Sequence, residues 1–315
     1  MSDTFDDADQ LGAFMDDMRA RDGKMSSSYA DAKAVVATFA AETGAGAWSS
    51  LQRDVVAARL TQLATDPSVP AGQPLDYSVG PRSVQQAGMN LCGPAAFCQM
   101  ALGRDPVAMM RFATDLFDKG TASIGSLKIA PGQDLLGADY AAMARQGNPS
   151  SQAEWMLLGA LRNSTEAFWQ PSWTGNPQQE LAAMTRPEEL AGWMRQSGIW
   201  SKVTDGGKWA TNPGIPAATD LMQGEGIDIA LLIQINLLVG SKLEPAGPVP
   251  AVAPERNALL AQFPNHWVVL LSEIVPDTAQ ENLTFTIWTW GGGLKVTAPK
   301  QVFLDNYYGA VTASL

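Results

Sequence analysis

An α+β fold is predicted by three features of the sequence. Apolar residues recur at spacings of three and four through most of the chain up to about residue 227, and β-branched and aromatic runs take over from residue 228. Apolar residues make up 46% of the chain against 17% charged, with ten Trp and ten Phe, so a sizeable core can be buried.

Leu11, Phe14 and Met15, then Val35, Val36, Phe39 and Ala40, then Leu51, Val55, Val56, Leu60 and Leu63 give residues 1 to about 66 a helical period. Asp66-Pro67 and Val69-Pro70-Ala71-Gly72 break it, placing a boundary near 66–76. The expected division is a helical N-terminal segment over 1–75 and a main domain over 76–315.

A helix is expected from Cys92 or Gly93, because Pro94 suits a first turn and Ala95, Ala96, Phe97, Met100 and Leu102 follow. Arg104-Asp105-Pro106 ends it and starts a second, Val107 to Phe117. Residues 118–135 read as loop with some extended structure, and Tyr140 to Gln146, Glu154 to Phe168 and Pro187 to Ser197 as helices. Strands are expected over Ile229 to Val239, Trp267 to Ile274 and Leu283 to Trp290, with a loop from Glu244 to Glu255. Gly291-Gly292-Gly293 reads as a turn into Leu294 to Thr297, and Asp305 to Gly309 as a helix end before a last strand, Ala310 to Ala313.

With 21 basic against 32 acidic residues, the net charge of −11 repels phosphate backbones and anionic lipid heads, so neither nucleic acid nor a membrane surface is an expected partner. The acidic start, Met-Ser-Asp-Thr-Phe-Asp-Asp, does not read as a secretory signal. The most apolar run, Ile227 to Val239, is too short to cross a bilayer and reads as a buried strand. Cys92 and Cys98 lie six apart on one expected helix and point to different faces, so both should be free thiols. One His and two Cys cannot assemble the usual zinc sites, and no cofactor is called for.

Two motifs carry chemistry. In Gln86-Ala87-Gly88-Met89-Asn90-Leu91-Cys92-Gly93-Pro94, a cysteine at the first turn of a helix meets unpaired backbone N–H groups and the positive end of the dipole, which favour a thiolate. Gln86, on the incoming loop, can place its amide beside the Cys92 N–H as an oxyanion hole. In Pro264-Asn265-His266-Trp267-Val268-Val269, the chain's single histidine opens an apolar strand that can hold the ring at the edge of a cleft. Trp267, Trp288 and Trp290 are placed to roof that cleft, with Trp288 and Trp290 as candidate substrate-binding residues, or to pack the sheet.

These residues resemble the papain-like cysteine peptidase superfamily, and Cys92-Gly93-Pro94-Ala95 is closer to its bacterial branches, such as bacteriocin-leader peptidases and effector proteases, than to papain itself. The likeness covers residues 84–100 and 264–293. It implies a two-lobe fold, with a helical lobe over 84–227 and an antiparallel sheet lobe over 228–315. By the same resemblance Cys92 is the nucleophile, His266 the general base and then acid, and Gln86 the oxyanion donor. A protein or peptide is the implied substrate.

The family orients its histidine with Asn or Asp, and alignment of Thr289-Trp290-Gly291 with the family's Ser-Trp-Gly puts Trp288 at that position. Thr289, a backbone carbonyl or Asp305 would have to orient the ring, or the pair acts as a dyad. Deamidation or acyl transfer uses the same dyad, and an inactive scaffold serving as a binding or adaptor module is the rival of a different class. A cytoplasmic enzyme and a bacterial toxin delivered by a specialised secretion system, covered by a cognate immunity protein, both fit the chain.

Overall fold

The computed structural model describes residues 28–65, 83–146, 150–165, 171–209, 226–245, 263–279 and 281–315, with 213–215, 218, 221 and 224 between them. The expected helical positions Leu11, Phe14 and Met15 and the expected boundary at 66–76 lie outside these residues. The architecture is α+β: helices cover one face of a large antiparallel sheet, and a separate small hairpin sits among the helices.

Helices α1 (28–41) and α2 (Arg53–Leu63) come first. Val36, Phe39, Val56 and Leu60 are buried in the same core as the helix that carries Cys92, so this segment packs as part of the main body. Helix α3 runs Cys92–Arg104 and α4 Pro106–Lys119. The break between them has a local cause: Asp105 caps α4 by accepting the Ala108 N–H at 2.9 Å, and Pro106 occupies its first turn. The loop expected over 118–135 contains the hairpin β1 (Ala122–Ile124) and β2 (Leu127–Ile129) and the short α5 (Gln133–Leu136). Helices α6 (Tyr140–Gln146), α7 (Gln152–Asn163), α8 (Glu180–Ala183) and α9 (Pro187–Ser197) complete this layer.

Strand β3 (Lys202–Asp205) falls inside the stretch expected as the helical lobe, yet it forms an edge of the large sheet. The run expected as one strand to Val239 divides. It forms β4 (Ile227–Ile233) and then a helical turn α10 (Asn236–Val239); beyond it β5 (Lys242–Pro245) runs into the start of the loop expected from Glu244. Gln234 ends the strand by bending its side chain onto the Asn236 amide, a local bond that apolar content does not reveal. The remaining elements are β6 (His266–Leu270), β7 (Val275–Pro276), β8 (Asn282–Thr289), β9 (Gly292–Pro299), α11 (Lys300–Asn306) and β10 (Tyr307–Ser314).

The strand order is β3-β10-β4-β6-β8-β9-β5, antiparallel throughout, with β7 paired to β8. The period-2 pattern sorts the strand residues between two cores. Ala230, Leu232, Trp267, Val269, Trp288 and Val311 face the helices, whereas Ile229, Leu231, Val268, Leu270, Phe285 and Ile287 form the core on the other side with Phe303 and Tyr307. Among the described residues, no helix is long and apolar enough to cross a membrane.

Close packing at the start of α3 requires glycine. A Cβ on Gly93 would meet the Thr185 Cβ at 2.3 Å and its Oγ1 at 2.4 Å. Gly93→Ala should therefore lower stability by ~1–3 kcal/mol in urea unfolding, despite the helix propensity it adds. An unchanged or higher midpoint would contradict this packing.

Candidate active site

Cys92 stands at the first position of α3, after Leu91, which provides no side-chain cap. The first-turn amides are therefore not consumed by a capping side chain. The Sγ lies 3.8 Å from the Asn265 carbonyl oxygen, joining positions 173 residues apart in sequence. The amides of Trp267, Gly93 and Cys92 itself approach the sulfur and favour its charged form, but burial outweighs them and pushes the thiol from 9.0 up to about 11. The expected low-pKa thiolate is thus corrected: with the residue 6% exposed, the cost of desolvating a charge exceeds what the helix terminus and amides return.

His266 opens β6 opposite Ile233 of β4 and is also 6% exposed. Its Nε2 lies 2.8 Å from Thr289 Oγ1, and its ring stacks on Trp290 with centroids 4.8 Å apart and planes at 24°. Burial lowers its pKa from 6.5 to about 3, so the ring is neutral at physiological pH. No hydrogen bond joins the imidazole to the Cys92 thiol among the described residues; the thiol addresses the backbone at the strand's entry instead. Burial thus favours the neutral form of both the thiol and the imidazole.

Of the groups weighed for holding the ring, Thr289 is the one that bonds it. Asp305 is not there: it accepts from Gln301 Nε2 on α11 at 2.8 Å. The expectation that Trp288 binds substrate is also corrected. Alternation on β8 turns it into the helix-side core, where its Nε1 donates to Ser83 Oγ. Trp267 is likewise internal, its Nε1 donating to the Thr185 carbonyl at 2.8 Å. Trp290, half-buried, is the tryptophan that meets the histidine.

Gln86 is 3% exposed and its Oε1 is buried without a hydrogen-bond partner. Its main chain is used, the carbonyl accepting from the Met89 amide at 3.2 Å. The loop it opens is conformationally unusual. Ala87 and Asn90 have φ of 48° and 58°, and Trp290 has φ of 50°, the three positive-φ residues other than glycine among those described. Trp290 and Gly291 (φ 81°) form the two-residue connection between paired Thr289 and Gly292, a turn that requires φ above zero at both positions and favours Asn-Gly. A tryptophan there costs ~1 kcal/mol or more of backbone strain. Such strain concentrated beside a cysteine and a histidine is the kind found at functional sites.

No family model, curated protein or solved structure matches the chain. Function has to be argued from the site itself. Gln85, Ser83 and Thr185 carry no recognisable pattern, since their contacts are distant in sequence, whereas Ser151-Gln152-Ala153-Glu154 has the Ser-x-x-Glu spacing of a helix start, with the Arg59 and Gln85 contacts of Glu154 set only by packing.

As the chain's only histidine, His266 should give a single imidazole NMR signal that stays neutral down to about pH 3. The folded ring is depressed below its unfolded value, so its contribution to stability is complete above pH 6.5 and is lost as pH falls from 6.5 towards about 3. Wild type should therefore lose more stability across that window than His266→Gln; parallel curves would refute the buried neutral ring. Trp290→Asn keeps a residue suited to the turn, and should move the titration midpoint upward by opening the ring to water.

Proposed function

We propose that the chain is a papain-like cysteine hydrolase acting on amide bonds of peptides or proteins, with the helical layer as one lobe and the large sheet as the other. The observation that carries this is a convergence. A thiol at an uncapped helix start lies against the backbone that enters the histidine strand, and the imidazole is held through Nε2 by Thr289. That bond leaves Nδ1 as the nitrogen to take the thiol proton when Nε2 carries the hydrogen donated to Thr289. Gln86, its Oε1 unpartnered, is nearby in sequence on the strained loop that delivers Cys92.

The steps follow from these atoms. As the substrate carbonyl arrives, the Cys92 proton passes to His266 Nδ1 and the sulfur bonds to the carbonyl carbon. The carbonyl oxygen takes the negative charge and accepts hydrogen bonds from the Cys92 N–H and the Gln86 carboxamide. The imidazolium returns its proton to the leaving amine as the C–N bond breaks, leaving a thioester on Cys92. Water, giving its proton to His266, then releases the acid and restores the thiol. Because the resting groups are neutral, His266 acts here as a general base during attack and does not hold a preformed ion pair.

A second reading has its own observation. The absence of a thiol–imidazole hydrogen bond, with both groups buried, suits an inactive scaffold of the same architecture that binds partners. Incubation with a peptide library, followed by mass spectrometry, separates the two. Wild type should create new peptide termini, or a Gln-to-Glu mass gain if the dyad deamidates. Cys92→Ala and His266→Ala should abolish this, and Thr289→Val should lower turnover about tenfold or more. Product formation that survives Cys92→Ala, or no product from wild type, would leave the scaffold.

A further inference from the structure

The three residues before Gln86 are each held at a main-chain atom by a side chain from a different helix. Arg59, on α2, donates through Nη2 to the Ser83 carbonyl at 2.8 Å. The Val84 amide donates to Gln99 Oε1 on α3 at 3.0 Å, and the Gln85 amide donates to Glu154 Oε1 on α7 at 3.0 Å. The segment's own side chains reach β8 and the β8–β9 turn. Trp288 Nε1 donates to Ser83 Oγ, and Gln85 Nε2 donates to the Gly291 carbonyl at 3.3 Å. A Cβ on Gly291 would stand 2.0 Å from Gln85 Nε2, so the contact depends on glycine in that turn.

Glu154 is 0% exposed and is satisfied by Arg59, Ser151 and the Gln85 amide. Buried ion pairs are often replaceable by apolar residues without loss of stability, so stability alone does not account for a charge here. Its distinctive service is to a main-chain amide next to Gln86.

We infer that Glu154, paired with Arg59, is a positioning residue that splints residues 83–85. In doing so it sets Gln86 and Cys92 on one side and the Trp290–Gly291 turn over His266 on the other. The catalytic consequence rests on the hydrolase function proposed above, whereas the splint does not. Neither residue touches the reacting atoms.

The test uses the full chain with Arg59→Met/Glu154→Leu and, separately, Glu154→Gln, read by amide hydrogen exchange. The double variant should melt close to wild type, while amides over 83–91 and 289–292 exchange at least about tenfold faster and those of α4 and β4 keep their protection. Glu154→Gln keeps an acceptor for the Gln85 amide and should loosen both segments less. Unchanged exchange in the two segments, or loosening of 83–91 without 289–292, would overturn the inference. If the double variant does not fold, Glu154→Gln decides alone: faster exchange at both segments supports the splint and no change refutes it. With a peptide that wild type cleaves, the variants should lower kcat and leave KM in place; a raised KM with unchanged kcat would count against positioning. Should wild type cleave nothing, the hydrolase function falls and the exchange result still decides the splint.

Discussion

A carboxylate with no access to water must find its hydrogen bonds in the protein, and Glu154 finds them on three separate pieces of chain. Arg59 comes from α2, Ser151 from the cap of α7 and the Gln85 amide from the loop that precedes α3. Leaving such a charge unpaired costs several kcal/mol, ~3–5 when one partner of a buried pair is removed. The three pieces therefore cannot drift apart independently. Through Gln85 and Ser83 the same constraint extends to the β8–β9 turn and to Trp288, and so to the strands flanking His266.

The electrostatics of the pair turn on a competition between burial and local dipoles. Three amides approach the Cys92 sulfur, yet burial wins and the thiol stays protonated. The imidazole, desolvated and bonded to a neutral hydroxyl where a carboxylate would favour the charged ring, stays unprotonated. Two neutral groups at rest are chemically consistent with each other: a buried thiolate–imidazolium pair would need geometry good enough to offset two desolvation penalties, and no direct hydrogen bond joins them. In the proposed reaction, charge develops only as the substrate carbonyl arrives.

Strain and packing tell the same story in the backbone. A two-residue hairpin turn wants Asn-Gly, and the chain places Trp-Gly there, so that the indole lies on the imidazole ring. Gly93 and Gly291 are both positions where the missing side chain is filled by a neighbour, Thr185 in one case and Gln85 in the other. These are contacts between segments about 90 and 200 residues apart.

Much of the fold was legible because local rules settle it. The start of α3 at Cys92, the Asp105-Pro106 punctuation and the helices Tyr140–Gln146 and Pro187–Ser197 follow from caps, prolines and period. A cysteine at a helix start and one histidine at a strand mouth were legible too, but that the two motifs meet was implied only by the papain-like resemblance; the structure brings the Cys92 Sγ to 3.8 Å from the Asn265 carbonyl oxygen. The apolar run to Val239 misled because composition does not register a Gln234 side chain folding back onto the Asn236 amide. Trp288 misled because which face of β8 points to the helices is set by register against β6, Val269 opposite Trp288. By itself the sequence determined most of the helices and the change to strands near residue 228, and it singled out Cys92 and His266, since such signals depend on neighbours a few positions away. The tertiary structure alone decided the protonation of both groups, the choice of Thr289 to hold the ring and the splint through Glu154, because burial and long-range hydrogen bonds exist only once distant segments pack.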